Sequence, residues 1–514
     1  MHSSSKKVQL TRRSFVRGIG VTAGAATLGA SFCESFAAPT GRADDLELRK
    51  RMAHDILRPQ YHLLPAANWV NDPCGPIYWN GKYHMFYQYS PSIAHFGNVH
   101  WGHAVSSDML HWQHLPIALA PTPGGPDWDG CYSGSAVINQ GTPTLIYTGV
   151  TPETQCIAIS TDGMLTWKKD PKPIIAAHPS GLKVTEWRDP CSPWREGDWW
   201  YTGIGSGFPG KGGVLLLYRS QNLREWEYLH TVAEGWNGTE RTDPVNSGDA
   251  WQCPDFFALG DKHVLLYSCG PVARTYWAVG TYSDLRFHAE KRGVLDYGIC
   301  YAAKSMHDAE GNRIVWAWVR ETRPVEEQEA AGWSGSISLP RGLSIGKDGG
   351  LCIRPIPTLK TLYKNIEKVI LPAGKDYSDK LAAMRIHDLC GSLHIEQRHG
   401  ASNAFEATLV GEGSSDTPFA TLHYDPAKTD RELTVNGTSA PLHLNGEQLT
   451  ISAYLDGSIL EVYANDRTCI TSRIYTKPTS PLHVAIAGIS GGSQNSLQVV
   501  VTGMRSISKD RLTT

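Results

Sequence analysis

Four stretches of this chain repeat one pattern at intervals. "SSDMLHW" from Ser106, "STDGMLTW" from Ser160, "SQNLREW" from Ser220 and "YSDLRFH" from Tyr282 each run from polar turn residues through a leucine to an aromatic. The aromatics, Trp112, Trp167, Trp226 and Phe287, stand 55, 59 and 61 residues apart. A period of that length, centred on turns, marks a supersecondary unit that must stack on its neighbours to bury its apolar faces. The surrounding runs "YHMFYQYS", "TLIYTGV", "WWYTGIG", "VLLLYRS", "HVLLYSC" and "RIVWAWV" are β-branched and aromatic, bounded by Gly, Pro, Asn or Asp, as strands are. Long amphipathic helical patterns are absent. The pattern predicts an all-β chain whose residues 55–350 form about five blades of a β-propeller.

Near Leu351 the character changes. "RPIPTLKTLYKN" reads as a linker with a little helix, and "FEATLV", "RELTVN", "LTISAYLDGSILEVYAN", "HVAIAGIS" and "LQVVVTGM" follow as short strands. Asp456-Gly457 signals a hairpin. Residues 365–510 are therefore predicted to form a C-terminal β-sandwich.

Several functions are disfavoured at this stage. The formal charge of −2 comes with no basic stripe, which argues against a nucleic-acid partner. Gly205, Gly207 and Gly210 fit a dinucleotide template, but Pro209 interrupts it and no helix follows. The 11 cysteines form no CxxC pair and the 20 histidines no HExxH, so no metal or other cofactor is expected. "TRRSFVRG" ahead of a Gly/Ala-rich run reads as a twin-arginine export signal over residues 1–37. That run is too short and too weakly apolar for a stable membrane span, so a periplasmic or secreted protein is expected. The 17 tryptophans offer flat apolar faces of the kind that stack on sugar rings.

The repeat also gathers acidic residues. Asp72 and Asp189 each precede a proline in "NWVNDPCGP" and "EWRDPCSPW", 117 residues or about two periods apart, and Gln252 in "DAWQCPDFF" follows after 63 more. Equivalent positions in successive blades converge on the central channel. Asp129, 57 residues after Asp72, is expected to occupy the same place in the second blade. Trp69, Trp187 and Trp194 flank the aspartates and could wall a ring-sized pocket. Glycosidic cleavage needs two carboxyl groups, one at the anomeric carbon and one to protonate the leaving oxygen.

These motifs, with "YHMFYQYSP", "WGHAVSSDMLHW", "CYSGSAV", "LDYGICYAAK", "WAWVRE" and "GWSGSISLPRGL", resemble in order those of family 32 glycoside hydrolases. That family comprises invertases, levanases, inulinases and related fructosyltransferases, and the resemblance runs from Tyr61 to Tyr475. It implies a five-bladed propeller joined to a β-sandwich, acting on sucrose or a fructan. It makes Asp72 the nucleophile and Asp189 the transition-state stabiliser, with Arg188 binding sugar hydroxyls. Asn71, Gln88, Trp101, Tyr132 and Ser133 would line the fructose subsite beside Trp69. At the acid/base position the family has glutamate and this chain has Gln252, an amide that cannot deliver a proton. Either another acid serves (Asp255, Asp249 and Asp243 are near in sequence), or the chain is a weakly catalytic or fructan-binding relative, or the glutamine stands where the natural enzyme has glutamate. A chemical role for the thiols of Cys253 or Cys131 is disfavoured against simple burial.

Overall fold

The computed structural model describes residues 46–508, apart from 236–246, 271–272, 373–376, 399–402, 412–416, 445, 479–480 and 489–495. The expected export segment and Asp243 lie outside the described residues. Five antiparallel sheets follow one another from Asn68 to Pro355. The first holds β1 (Asn68–Trp79), β2 (Lys82–Ser90), β3 (His100–Ser106) and β4 (Trp112–Leu119). The second holds β5 (Gly130–Asn139), β6 (Thr142–Val150), β7 (Thr154–Ile159) and β8 (Lys168–Lys169). The third comprises β9 (Trp187–Arg188), β10 (Trp194–Glu196), β11 (Trp199–Phe208), β12 (Gly212–Ser220) and β13 (Glu227–Glu234). The fourth comprises β14 (Gln252–Leu259), β15 (Lys262–Cys269), β16 (Arg274–Ser283) and β17 (Arg286–Val294). The fifth is built on β18 (Cys300–His307) and β19 (Arg313–Val319), while β20 (Trp333–Ser334) leaves it to pair in parallel with Asn68 and Trp69 of β1. This parallel pairing closes the ring of five blades.

The sequence repeat has a physical cause. It is the turn between the third and fourth long strands of a blade. Asp108 Oδ1 accepts the amides of Leu110 and His111 at 3.0 and 2.8 Å. Asp162 Oδ1 does the same for Leu165 and Thr166, and Asn222 Oδ1 for Arg224 and Glu225. A side-chain oxygen two to four residues back thus satisfies amides that no strand partner reaches. The turn forces Met109, Met164 and Leu223 to φ of 65°, 67° and 62°. In exchange Trp112 and Phe287 are buried in their blades.

Beyond Pro355 come a 3-10 turn, Pro357–Leu362, and a strand from Tyr363, so the expected linker is short and its last residues already belong to a sheet. Two six-stranded antiparallel sheets between Tyr363 and Met504 form the sandwich. The Asp456-Gly457 hairpin is present one residue out of the expected register. Asp456 pairs with Ile459, leaving Gly457 and Ser458 as the turn. Asp456 is thereby free to receive the amides of Gln60, Tyr61 and His62 at 2.6–2.9 Å, tying the sandwich to the segment that leads into blade one. No helix among the described residues is long and apolar enough to cross a membrane.

Candidate active site

The innermost strand of four blades is broken at the same level. Register shifts fall between Val70 and Pro73 in β1, Cys131 and Gly134 in β5, Gln252 and Asp255 in β14, and Tyr301 and Lys304 in β18. Blade three has its break just after β9, where Asp189 takes φ 61°. A bulge bends its strand and turns a side chain that would lie along the sheet toward the axis. Five such breaks in one ring bring Asp72, Ser133, Asp189, Gln252, Cys253 and Tyr301 to one place.

The two aspartates meet through a thiol. Cys253, held at φ 46°, donates its amide to Asp189 Oδ2 at 2.9 Å, and its Sγ lies 3.4 Å from that oxygen and 3.3 Å from Asp72 Oδ2. Burial, with the charges of Asp189 and Asp72, pushes the thiol well above its ordinary range, so it remains a neutral donor between two carboxylates. Ser133 Oγ donates to Asp72 Oδ2 at 2.7 Å and accepts from Gln88 Nε2 at 2.9 Å. Gln88 Oε1 accepts from Asn71 Nδ2, and Asn71 Oδ1 accepts the indole N–H of Trp69 at 2.8 Å. The chain is buried up to Ser133 and only its last link, to the half-buried Asp72, is partly open; together the links hold Asp72 against rotation. Burial raises the Asp72 pKa and Asp189 adds to it, while the Ser133 and Cys253 hydrogen bonds oppose the rise. Beneath the carboxylates lies the buried ammonium of Lys304, which donates to Pro254 O at 2.7 Å.

Gln252 has both ends engaged. Tyr301 donates its hydroxyl to Oε1 at 2.7 Å, so the amide nitrogen faces the other way, donating to Glu186 Oε2 at 2.8 Å. Glu186 Oε1 is 2.6 Å from Arg188 Nη2, and Arg188 Nη1 is 3.4 Å from Glu153 Oε1. Glu153 also accepts the Trp187 amide at 2.8 Å, and burial raises its pKa despite the guanidinium. At the rim, Phe96 packs edge-on against both Trp69 and Tyr132 and is 48% exposed, giving an apolar wall.

The aromatic expectations are only partly met. Trp69 belongs to the site. Trp101 is fully buried and donates to Tyr132 O at 3.1 Å, so it supports the wall from behind. Trp187 and Trp194 are no walls of the pocket: the first donates to Tyr218 inside blade three, and the second packs against Tyr201, Phe256 and Tyr282. Asp129 is not the blade-two counterpart of Asp72. That place is held by Tyr132 and Ser133, while Asp129 is exposed and accepts from Thr151 Oγ1 at 2.9 Å. Among the described residues no cluster of three His, Cys, Asp or Glu is placed to hold a metal.

The model of the glycosyl hydrolases family 32 N-terminal domain matches residues 62–355, and that of the family's C-terminal domain matches 412–501. The chain belongs to glycosyl hydrolase family 32. This family 32 glycosidase is 34% identical to the sucrose-6-phosphate hydrolase of Escherichia coli, over 82% of this chain and 90% of that protein. Its fold is similar to that of fructan 1-exohydrolase IIa from Cichorium intybus, solved as a Glu-to-Gln variant with 1-kestose. The TM-score is 0.72 at 26% identity, covering 87% of this chain and 98% of that one. It is equally similar to a mutant of the beta-fructofuranosidase of Bombyx mori in complex with sucrose, with TM-score 0.72, 26% identity, and 90% and 98% coverage.

Proposed function

We propose that this family 32 glycosidase releases terminal β-fructofuranosyl units from sucrose or a fructan, with retention of configuration. The observation that carries the reading is the convergence of Asp72 and Asp189 on the single thiol of Cys253, 3.3 and 3.4 Å away. A carboxylate locked by Ser133 and Cys253 beside a second carboxylate is built to attack an anomeric carbon while its neighbour stabilises the positive charge that develops there. Asp72 forms the fructosyl ester and Asp189 faces the oxocarbenium-like transition state. Asn71, Gln88, Tyr132, Ser133 and Arg188 offer donors and acceptors for furanose hydroxyls, and Trp69 and Phe96 a flat face. The complexes of the relatives with 1-kestose and sucrose support a fructoside as substrate. Gln252 occupies the place of the acid/base. Its amide preserves shape and hydrogen bonding but supplies no proton, an effect worth roughly 10²–10⁴ in rate. The twin-arginine pattern supports a site of action outside the cytoplasm.

Replacing Asp72 with Asn tests this. Turnover of sucrose and levan is expected to fall at least ~10³-fold. Intact-mass analysis during turnover of a fructosyl fluoride should show one added fructosyl group on the unaltered protein and none on the variant. A variant that still acquires the adduct refutes the assignment.

A further inference from the structure

The reaction proposed above needs a proton donor that residue 252 cannot be. The geometry points to Glu186 as that donor, an assignment that rests on the fructosidase reading. Two acids near Gln252 in sequence, Asp255 and Asp249, fail on position. Asp255 is buried and receives both the amide and the hydroxyl of Ser305. Asp249 is exposed ahead of β14, with its backbone carbonyl against the Thr185 hydroxyl.

The acids that do reach the site come from other blades. Glu186 Oε2 lies 2.8 Å from Gln252 Nε2, so its carboxyl stands at the tip of the side chain whose place it would serve. The phenol of Tyr301, donating to Gln252 Oε1 at 2.7 Å, fixes which end of the amide is nitrogen and aims it at Glu186. The amide thus orients an acid instead of being one. The Glu186 side chain is 29% exposed, open enough to reach a bound ligand. Arg188, at 2.6 Å, stabilises the carboxylate left after proton transfer. Glu153, the other carboxyl on this guanidinium, is spent on the Trp187 amide and Arg188. The charged groups facing Glu186 are Arg188, Glu153 from the turn after β6, and Asp189 behind the guanidinium.

The step balances without any further reagent. An Asp72 oxygen bonds to the anomeric carbon as the glycosidic C–O bond breaks. The electron pair goes to the leaving oxygen, which takes the Glu186 proton. The Glu186 carboxylate then removes a proton from water, whose oxygen displaces Asp72 and returns both carboxyl groups to their starting state.

The experiment compares the unaltered protein, Glu186→Gln and Glu153→Gln on sucrose and on β-fructofuranosyl fluoride, whose leaving group needs no proton. For Glu186→Gln, sucrose turnover should fall at least ~100-fold. Formation of the fructosyl adduct from the fluoride should stay within about threefold, azide should accelerate its breakdown, and adding Gln252→Glu should restore sucrose hydrolysis at least ~10-fold. Glu153→Gln should lose at least ~10-fold less than Glu186→Gln. The assignment is overturned if Glu186→Gln keeps its sucrose activity, loses adduct formation equally, or is matched by Glu153→Gln. An unaltered protein that reacts with the fluoride but not with sucrose removes Glu186 as acid and leaves the fructosidase reading standing. One inert to both removes the reading and the assignment together.

Discussion

Asp72 is held between opposing influences, and one neighbour offers a handle on them. Burial favours its neutral form, while the Ser133 hydroxyl, donating at 2.7 Å, favours the carboxylate that attacks. Removing that donor by Ser133→Ala should raise the Asp72 pKa, so the acidic limb of kcat/KM should move to higher pH. A pH–rate profile on a fructosyl fluoride, which removes the leaving-group proton from consideration, measures this directly. A limb that stays in place would mean the hydroxyl does not tune the nucleophile. At this scale the sequence was legible where chemistry and turn coincide: Asp72, Asp189 and Gln252 each mark a sharp local break. It was silent about Glu186, although the motif "EWRDPC" includes it. Its partner Gln252 becomes a neighbour only when blades three and four pack together. The sequence marks Cys253 as a small buried residue; it is buried, but its thiol spans two carboxylates, a contact across three blades that no local pattern encodes.

At the level of strands and turns, the repeat predicted blades correctly and site positions imperfectly, for one reason. Its spacing belongs to the turns before the outermost strands, Asx-type in blades one to three, whereas the site depends on bulges in the innermost strands. Loops of unequal length separate the two, so counting periods from Asp72 reached Asp129, three residues short of Tyr132. The backbone at Gly335 also passes close to β1. A Cβ on Gly335, at φ +73°, would sit 1.9 Å from the carbonyl of Val70, next to Asn71 and Asp72. Gly81, at φ +75° in the β1–β2 turn, has open space around it. Gly81→Ala should cost about 1–2 kcal/mol from the left-handed backbone alone. Gly335→Ala should cost at least ~2 kcal/mol more, since backbone must move, and should lower activity as well. Denaturant titration with fructoside turnover on both variants checks the difference; equal losses would show that the close approach is relaxed at no penalty.

The whole molecule is fastened by a buried polar seam between ring and sandwich. Arg341 reaches Asp296 at 2.9 Å and Glu461 at 3.0 Å, and His62 lies 2.7 Å from Asp456 and 3.1 Å from Glu461. Burial opposes the charge on Glu461, but Arg341, His62 and Tyr463 outweigh it and hold its pKa down at about 2, against an ordinary value of 4.5. Because the folded value is the lower one, this stabilisation is complete above pH 4.5 and drains away as the pH falls toward 2. Glu461→Gln should remove about 3–5 kcal/mol at neutral pH, because it leaves a buried guanidinium short of a counter-charge. It should also flatten the loss of stability on acidification. Thermal unfolding of both proteins from neutral pH to pH 3 decides it; parallel curves would show that the seam does not respond to acid. This seam was invisible in the sequence, since its residues lie in separate segments on both sides of the domain junction. The parallel pairing of Trp333 and Ser334 with Asn68 and Trp69 sets an order of events in the making of the molecule. A growing polypeptide acquires its attacking carboxylate early, yet that carboxylate's strand stays without its final partner until nearly two thirds of the chain has been synthesised. Any precursor that stops before Trp333 therefore lacks the pair that closes the ring end to beginning.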